Sequence, residues 1–283
     1  MAPAAPVWYL DAMLRVEPAL LAGARRAVDE ALSAARSLLA GPRLTVPPVP
    51  ASVNTKAAHD YATDLDLSVE KAIVGALRRR LPGHAIVAEE AGADGLSEDT
   101  WFVDPVDGTR NLLTGHPAVA VSVAWWRGDR PVLAALDLPY RDLCLIADAS
   151  GVRLNGGAFQ APPARLVEHA LAVMPGDLRR PTERAPFSAL YAALAARFEG
   201  VRITGALAYD LAILALGEVD ARVSFGPKVE DVAAGVPIIH ALGGLVTDLE
   251  GRPYRRGPGP MVAARGRAAH AAALAAARAA VRG

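Results

Sequence analysis

Apolar positions recur at helical spacing from Pro18 to Ala40, in PALLAGARRAVDEALSAARSLLA, and the pattern stops at Gly41-Pro42, a usual helix end. The proline-rich run PRLTVPPVPASVNT that follows reads as a loop or linker. A second helix is expected from Thr63 to Asp66 onward, carrying Leu67, Val69, Ile73, Ala76 and Leu77 on its apolar face and ending at Leu81-Pro82-Gly83. The period then changes. HAIVA, WFV, AVAVSVAWW, VLAALDL and LCLIAD are short apolar runs of strand character, and two of them end in carboxylates, at Glu89-Glu90 and at Asp104.

After Asn155-Gly156-Gly157 strands and helices alternate: strands near LAVMP, VRIT, ARVSF and GLVTD, helices near FSALYAALAARF, ALAYDLAILALG and EDVAAGVPIIHALGG, and an alanine-rich terminal helix. These elements describe an α/β chain of two subdomains around a cleft, 1–155 and 156–283. In such layered architectures ligands gather where strands run out into loops.

Composition narrows the function classes. The chain has 283 residues, 52% of them hydrophobic, enough to bury a substantial core. Lys plus Arg equals Asp plus Glu at 30 each, so no overall field draws the chain to nucleic acid or an anionic membrane, and an anionic ligand must be met locally. No apolar run is long enough to cross a bilayer, and the N-terminus lacks the basic leader and long apolar core of a signal peptide, so a cytoplasmic location is expected. The single cysteine, Cys144, excludes an internal disulfide and reads as a buried reduced thiol. The six histidines show neither HxH nor HExxH spacing, so a zinc site is not expected.

The chemistry concentrates in Asp104-Pro105-Val106-Asp107-Gly108-Thr109. Pro105 pins the chain and Gly108 permits an unusual backbone angle, so a tight turn can aim both carboxylates and the Val106 carbonyl inward, an oxygen set suited to a hard cation. Each acidic residue taken singly has an ordinary explanation. DP and DG are common turn dipeptides, Glu89 ends a strand, Asp231 can cap a helix, and Asp66 can face a helix dipole. Their combination is less ordinary: Asp60-x-x-Thr63-x-x-Asp66, Glu89-Glu90, the DPVDGT run, and Asp231-Val-Ala-Ala-Gly235 followed by Gly243-Gly244.

With these motifs the sequence resembles the inositol monophosphatase family over roughly residues 20 to 265. The resemblance implies a layered αβαβα sandwich that hydrolyses a phosphate monoester of a small metabolite with metal-activated water. It implies two or three magnesium ions, one held by Glu89, Asp104 and the Val106 carbonyl and another by Asp104, Asp107 and Asp231. Asp66 and Thr109 become the pair that orients and deprotonates the water, and the NH groups of Gly108 and Thr109 receive the phosphate, with Asp107 and Asp231 beside the substrate. Lithium inhibition and a homodimer are also implied.

Several positions depart from the family pattern. Glu230 stands where a tryptophan usually precedes Asp231, Arg202-Ile-Thr-Gly205-Ala-Leu-Ala-Tyr replaces RxxGSAAL, and His240-Ala-Leu-Gly-Gly replaces EAGG. Ser224 falls where an acidic residue would bind inositol hydroxyls. An intact metal half beside an altered wall predicts retained phosphatase chemistry with a changed leaving group; histidinol phosphate, fructose 1,6-bisphosphate and 3'-phosphoadenosine 5'-phosphate are the related substrates. A catalytically idle, metal-binding regulatory relative is the alternative. Arg110, directly after Thr109, and His116, just beyond the loop, are the remaining residues that could face substrate or solvent.

Overall fold

The computed structural model describes residues 16–40, 53–57, 60–95, 97–176, 184–254 and 256–282. The N-terminal residues 1–15, most of the proline-rich run, and the side chains of Asp60 and Thr63 lie outside what is described. Helix α1 (Pro18–Leu39) precedes a short hairpin, β1 (Val53–Ala57) and β2 (Asp60–Thr63), that leads into α2 (Asp64–Arg80). Both helices bury a stripe at three- and four-residue spacing: Ala24, Ala27, Val28, Ala31 and Ala35 on α1, Val69, Ile73, Ala76 and Leu77 on α2. These stripes cover one face of an eight-stranded sheet.

The sheet contains β3 (Ala85–Ala88), β4 (Gly92–Ala93), β5 (Asp99–Asp107), β6 (Ala120–Arg127), β7 (Arg130–Leu138), β8 (Leu143–Asp148), β9 (Gly151–Leu154) and β10 (Gly157–Ala158). From β5 to β10 it is an antiparallel meander, whereas β3 lies parallel to β5, so the two carboxylate-bearing strand ends emerge at the same edge. Arg25 and Arg36 of α1 reach the sheet and pair with the buried Asp148 and Asp137 at 2.8 and 2.6 Å, which satisfies two charges that burial would otherwise penalise.

The second sheet has β11 (Leu171–Val173), β12 (Gly200–Arg202), β13 (Ala221–Ser224), β14 (Leu245–Thr247) and β15 (Met261–Ala264), in the order β12-β11-β13-β15-β14. Helices α5 (Leu207–Leu216) and α7 (Gly235–Ala241) fill the space between the sheets, sharing one core with Leu136 and Leu145 of the first and Val246 and Ala263 of the second. On the outer face, α4 (Arg184–Ala195) and α8 (Arg267–Arg282) pack Leu190, Leu194, Ala273 and Ala277 against Ala172, Val223 and Val262. The order helix, sheet, helix, sheet, helix is the αβαβα sandwich that the family resemblance implies. The change of sheet falls between Ala158 and Leu171, while the middle layer is common to both halves.

Two sequence expectations change in detail. The run EDVAAGVPIIHALGG is two helices, α6 (Val229–Val232) and α7, rather than one. Pro237 has no N–H for the Ala233 carbonyl four residues earlier, and that carbonyl accepts the Trp126 indole N–H at 3.0 Å instead. Gly235 marks the join, where a Cβ would stand 2.4 Å from Leu211 of α5. The run PRLTVPPVPASVNT, expected to be a loop or linker, ends in strand β1, where Val53, Asn54 and Thr55 pair with Thr63, Ala62 and Tyr61.

Candidate active site

Strand β5 decides where the motif points. Its odd residues Trp101 and Val103 enter the core beneath α1 and α2, and Phe102 enters the opposite core. Strict alternation would put Asp104 and Val106 on one face. The register instead shifts between Asp104 and Asp107 against β6, and Val106 drops into the α1/α2 core while Asp107 reaches α5 on the other side. The DPVD segment is therefore the bulged end of a strand rather than the tight turn expected from its proline and glycine. The reversal comes one residue later. Gly108 has φ +91°, and a Cβ there would meet the Ala118 carbonyl at 2.6 Å.

Thr109 opens α3 (Thr109–Thr114), and its Oγ1 donates to Asp66 Oδ1 at 2.7 Å, with the Val106 carbonyl at 3.2 Å as the longer alternative. The shorter contact to a charged acceptor takes the proton. Asp66 is 1% exposed in the first turn of α2. Asp107 accepts from the Leu207 and Tyr209 N–H groups at 3.0 and 2.8 Å, so it caps α5 from a hundred residues away. Asp231 is the third residue of α6 rather than its cap residue, and it accepts the backbone N–H of Lys228 at 3.0 Å. The sequence-nominated residues Asp66, Asp104, Val106, Asp107, Gly108, Thr109 and Asp231, with Glu89 just beyond the end of β3, converge on one edge of the fold.

The electrostatics of this edge are those of crowded carboxylates. Burial, then Glu89, Asp107 and Asp231, push Asp104 well above the ordinary carboxylate range. Burial and Asp231 do the same to Asp107 against the opposing pull of the two α5 N–H groups. Asp231 rises to about 7, through burial and Glu89. Among the described residues, no three or more His, Cys, Asp or Glu side chains already form a cage that could hold a metal. The donor chemistry nevertheless fits magnesium: four carboxylates, all oxygen donors, two of them buried beside like charges, are a set that a divalent cation would neutralise.

These shifts carry a sign. A carboxyl whose folded pKa is raised favours the fold while protonated, fully below the unfolded value near ~4, and loses that contribution as pH rises through the folded value. For Asp231 the window closes near 7. Buried His240, held down to about 4, titrates with the opposite sign, so the comparison must be with a variant. Metal-free Asp231→Asn is expected to gain melting temperature relative to wild type as pH rises across this window, and magnesium is expected to reverse the advantage. A difference that stays flat with pH would show that Asp231 does not share the carboxylates' field.

Three positioning residues escaped the sequence reading. Glu70, one turn after Asp66 on α2 and 4% exposed, accepts the N–H groups of Glu90 and Ala91 at 2.7 and 2.8 Å and so holds the loop that presents Glu89. The signal was present as two acids at i and i+4 on an otherwise apolar helix face. Asn111 donates to the Ala118 and Thr204 carbonyls at 2.7 and 2.8 Å, tying the motif to the second half of the chain. Lys228 places its Nζ 2.7 Å from Glu89.

His116 is exposed and accepts the Ala118 N–H at 3.2 Å within its own loop; Arg110 is exposed as well. Ser224 is buried at the end of β13, and Glu230 meets Ser122 through its backbone carbonyl, not its side chain.

The family model described as the inositol monophosphatase family matches residues 20–282. The chain belongs to the inositol monophosphatase family. It is similar to the Nus factor SuhB of Pseudomonas aeruginosa, 35% identical over 207 residues that cover 71% of this chain and 76% of that protein. It is also similar to the fructose-1,6-bisphosphatase/inositol-1-monophosphatase of Aquifex aeolicus, 32% identical over 205 residues, covering 72% and 77%. Among solved structures, the extragenic suppressor protein suhB of Bartonella henselae superposes with a TM-score of 0.80 at 27% identity, covering 91% of this chain and 98% of that one. This family member has no helix, among the described residues, long and apolar enough to cross a membrane.

Proposed function

We propose that the protein is a magnesium-dependent phosphomonoesterase acting on a small phosphorylated metabolite. The observation that carries the reading is the Thr109–Asp66 hydrogen bond set beside the buried carboxylates, because family membership alone does not require a water-activating pair. Glu89, Asp104, the Val106 carbonyl, Asp107 and Asp231 would hold magnesium, which when bound supplies positive charge to the phosphoryl oxygens and acidifies a water. Asp66 and Thr109 then act on that water. Since the Thr109 hydroxyl donates to Asp66, its oxygen can accept a water proton while Asp66 receives the hydroxyl's proton in turn.

The first N–H groups at the start of α3, on Gly108 and Thr109, have no intrahelical acceptor by geometry and can receive phosphate oxygens. Asp107 and Asp231 would lie beside the substrate, and Asp231 comes from the second half of the chain.

The leaving group is where this chain departs from an inositol phosphatase. Ser224 offers no charge to a polyol, so one of the other substrates is expected to win. A phosphate-release panel with and without magnesium, covering inositol 1-phosphate, histidinol phosphate, fructose 1,6-bisphosphate and 3'-phosphoadenosine 5'-phosphate, tests both points. We expect magnesium-dependent release from one compound, sensitive to lithium. Preference for inositol 1-phosphate would overturn the reading of Ser224. Absence of release from all four would favour a regulatory member, a reading that the name Nus factor of the Pseudomonas relative keeps in play.

A further inference from the structure

Lys228 precedes α6, and two contacts hold it across the cleft. Its backbone N–H donates to Asp231 Oδ2 at 3.0 Å, which fixes where the side chain begins. Its Nζ ends 2.7 Å from Glu89 Oε1, an ion pair between residues from opposite halves of the fold. The carboxylate is positioned independently of the lysine, because Glu70 grips the next two backbone N–H groups of its loop. The pair sits at the mouth of the site, with Glu89 18% and Lys228 45% exposed at the side chain.

We propose that Lys228 is a resident counter-cation at Glu89, which a divalent ion must displace to bind there. The inference rests on Glu89 being a metal ligand. An ammonium in hydrogen-bond contact with a carboxylate oxygen competes with a divalent ion for that oxygen, and two cations close to one carboxylate repel. A half-exposed pair of this kind is weak, so the ammonium yields to magnesium but lowers its affinity at Glu89 by about fivefold. The four-carbon side chain lets the ammonium swing aside without moving the backbone N–H that serves Asp231.

The test is a manganese titration of the full chain, followed by electron paramagnetic resonance and calorimetry, in wild type, Lys228→Met, Lys228→Arg, Glu89→Gln and the Glu89→Gln/Lys228→Met double variant. Lys228→Met is expected to tighten the manganese ion bound at Glu89 about fivefold and Lys228→Arg to leave it within about twofold of wild type. Glu89→Gln should lose that ion, and adding Lys228→Met to it should restore nothing. Unchanged binding in Lys228→Met overturns the proposal, as does an equal gain in the Glu89→Gln background, which would indicate a diffuse field instead of displacement. A wild type that binds no manganese, or a Glu89→Gln that binds it normally, would instead remove the metal-ligand reading beneath it.

Discussion

Asp107→Asn is expected to lower magnesium-dependent phosphate release by about a thousandfold or more, because it takes the charge from a carboxylate proposed to face both the metal and the reacting phosphoryl group. The structure adds a second consequence. Both Asp107 oxygens cap the first turn of α5, and an amide can keep only one of those acceptors while turning its NH2 toward the other donor. The lost cap costs about 1–2 kcal/mol, set against relief of the repulsion from Asp231 in the metal-free protein. The metal-free melting temperature should therefore move little, while the rise on adding magnesium should shrink sharply. Melting curves with and without magnesium, beside a phosphate-release assay, check both arms. Normal turnover in this variant would eliminate the proposed site.

Thr109→Ala should lower kcat by about 100- to 10,000-fold with magnesium affinity nearly unchanged, the range for loss of a positioned proton-transfer group. The expectation is this asymmetric because Thr109 contributes a hydroxyl to Asp66 and only a weaker contact to the Val106 carbonyl. Thr109→Ser keeps the hydroxyl and should recover most of the rate. Parallel losses of turnover and metal affinity would mean that Thr109 serves the shape of the β5–α3 corner and not the water.

Much of this site was legible in one dimension because its chemistry is packed into short segments. DPVDGT places two carboxylates, a glycine that must reverse the chain and a hydroxyl within six residues, and the glycine's requirement is borne out by its close approach to Ala118. Asp66 and Asp231 each had an ordinary explanation as acids at helix starts, and only their combination with the motif singled them out. What escaped is of another kind. Glu70 repeats Asp66 one turn later but finds its partners only on the loop after β3, and Lys228 looks like any loop lysine; neither role exists until distant backbone or side chains arrive. The expected tight turn at DPVD failed for a similar reason, since pairing with β6 extends the strand through Pro105 and converts the surplus residue into a bulge.

The sequence by itself determined the apolar stripes of α1 and α2, the strand runs of the first sheet and the acids that end two of them, all local patterns dictated by side-chain period and turn chemistry, while the layer order and the roles of those acids were implied by the family resemblance. Only the tertiary structure decided how those acids are used. The parallel pairing of β3 with β5 brings Glu89 to the edge where Asp104 and Asp107 emerge, α5 lends its first N–H groups to Asp107, and α6 delivers Asp231 and Lys228 from the other half of the chain. Burial then turns these separate carboxylates into a set whose charges raise one another and call for a cation, an energy that depends on distances no linear spacing contains.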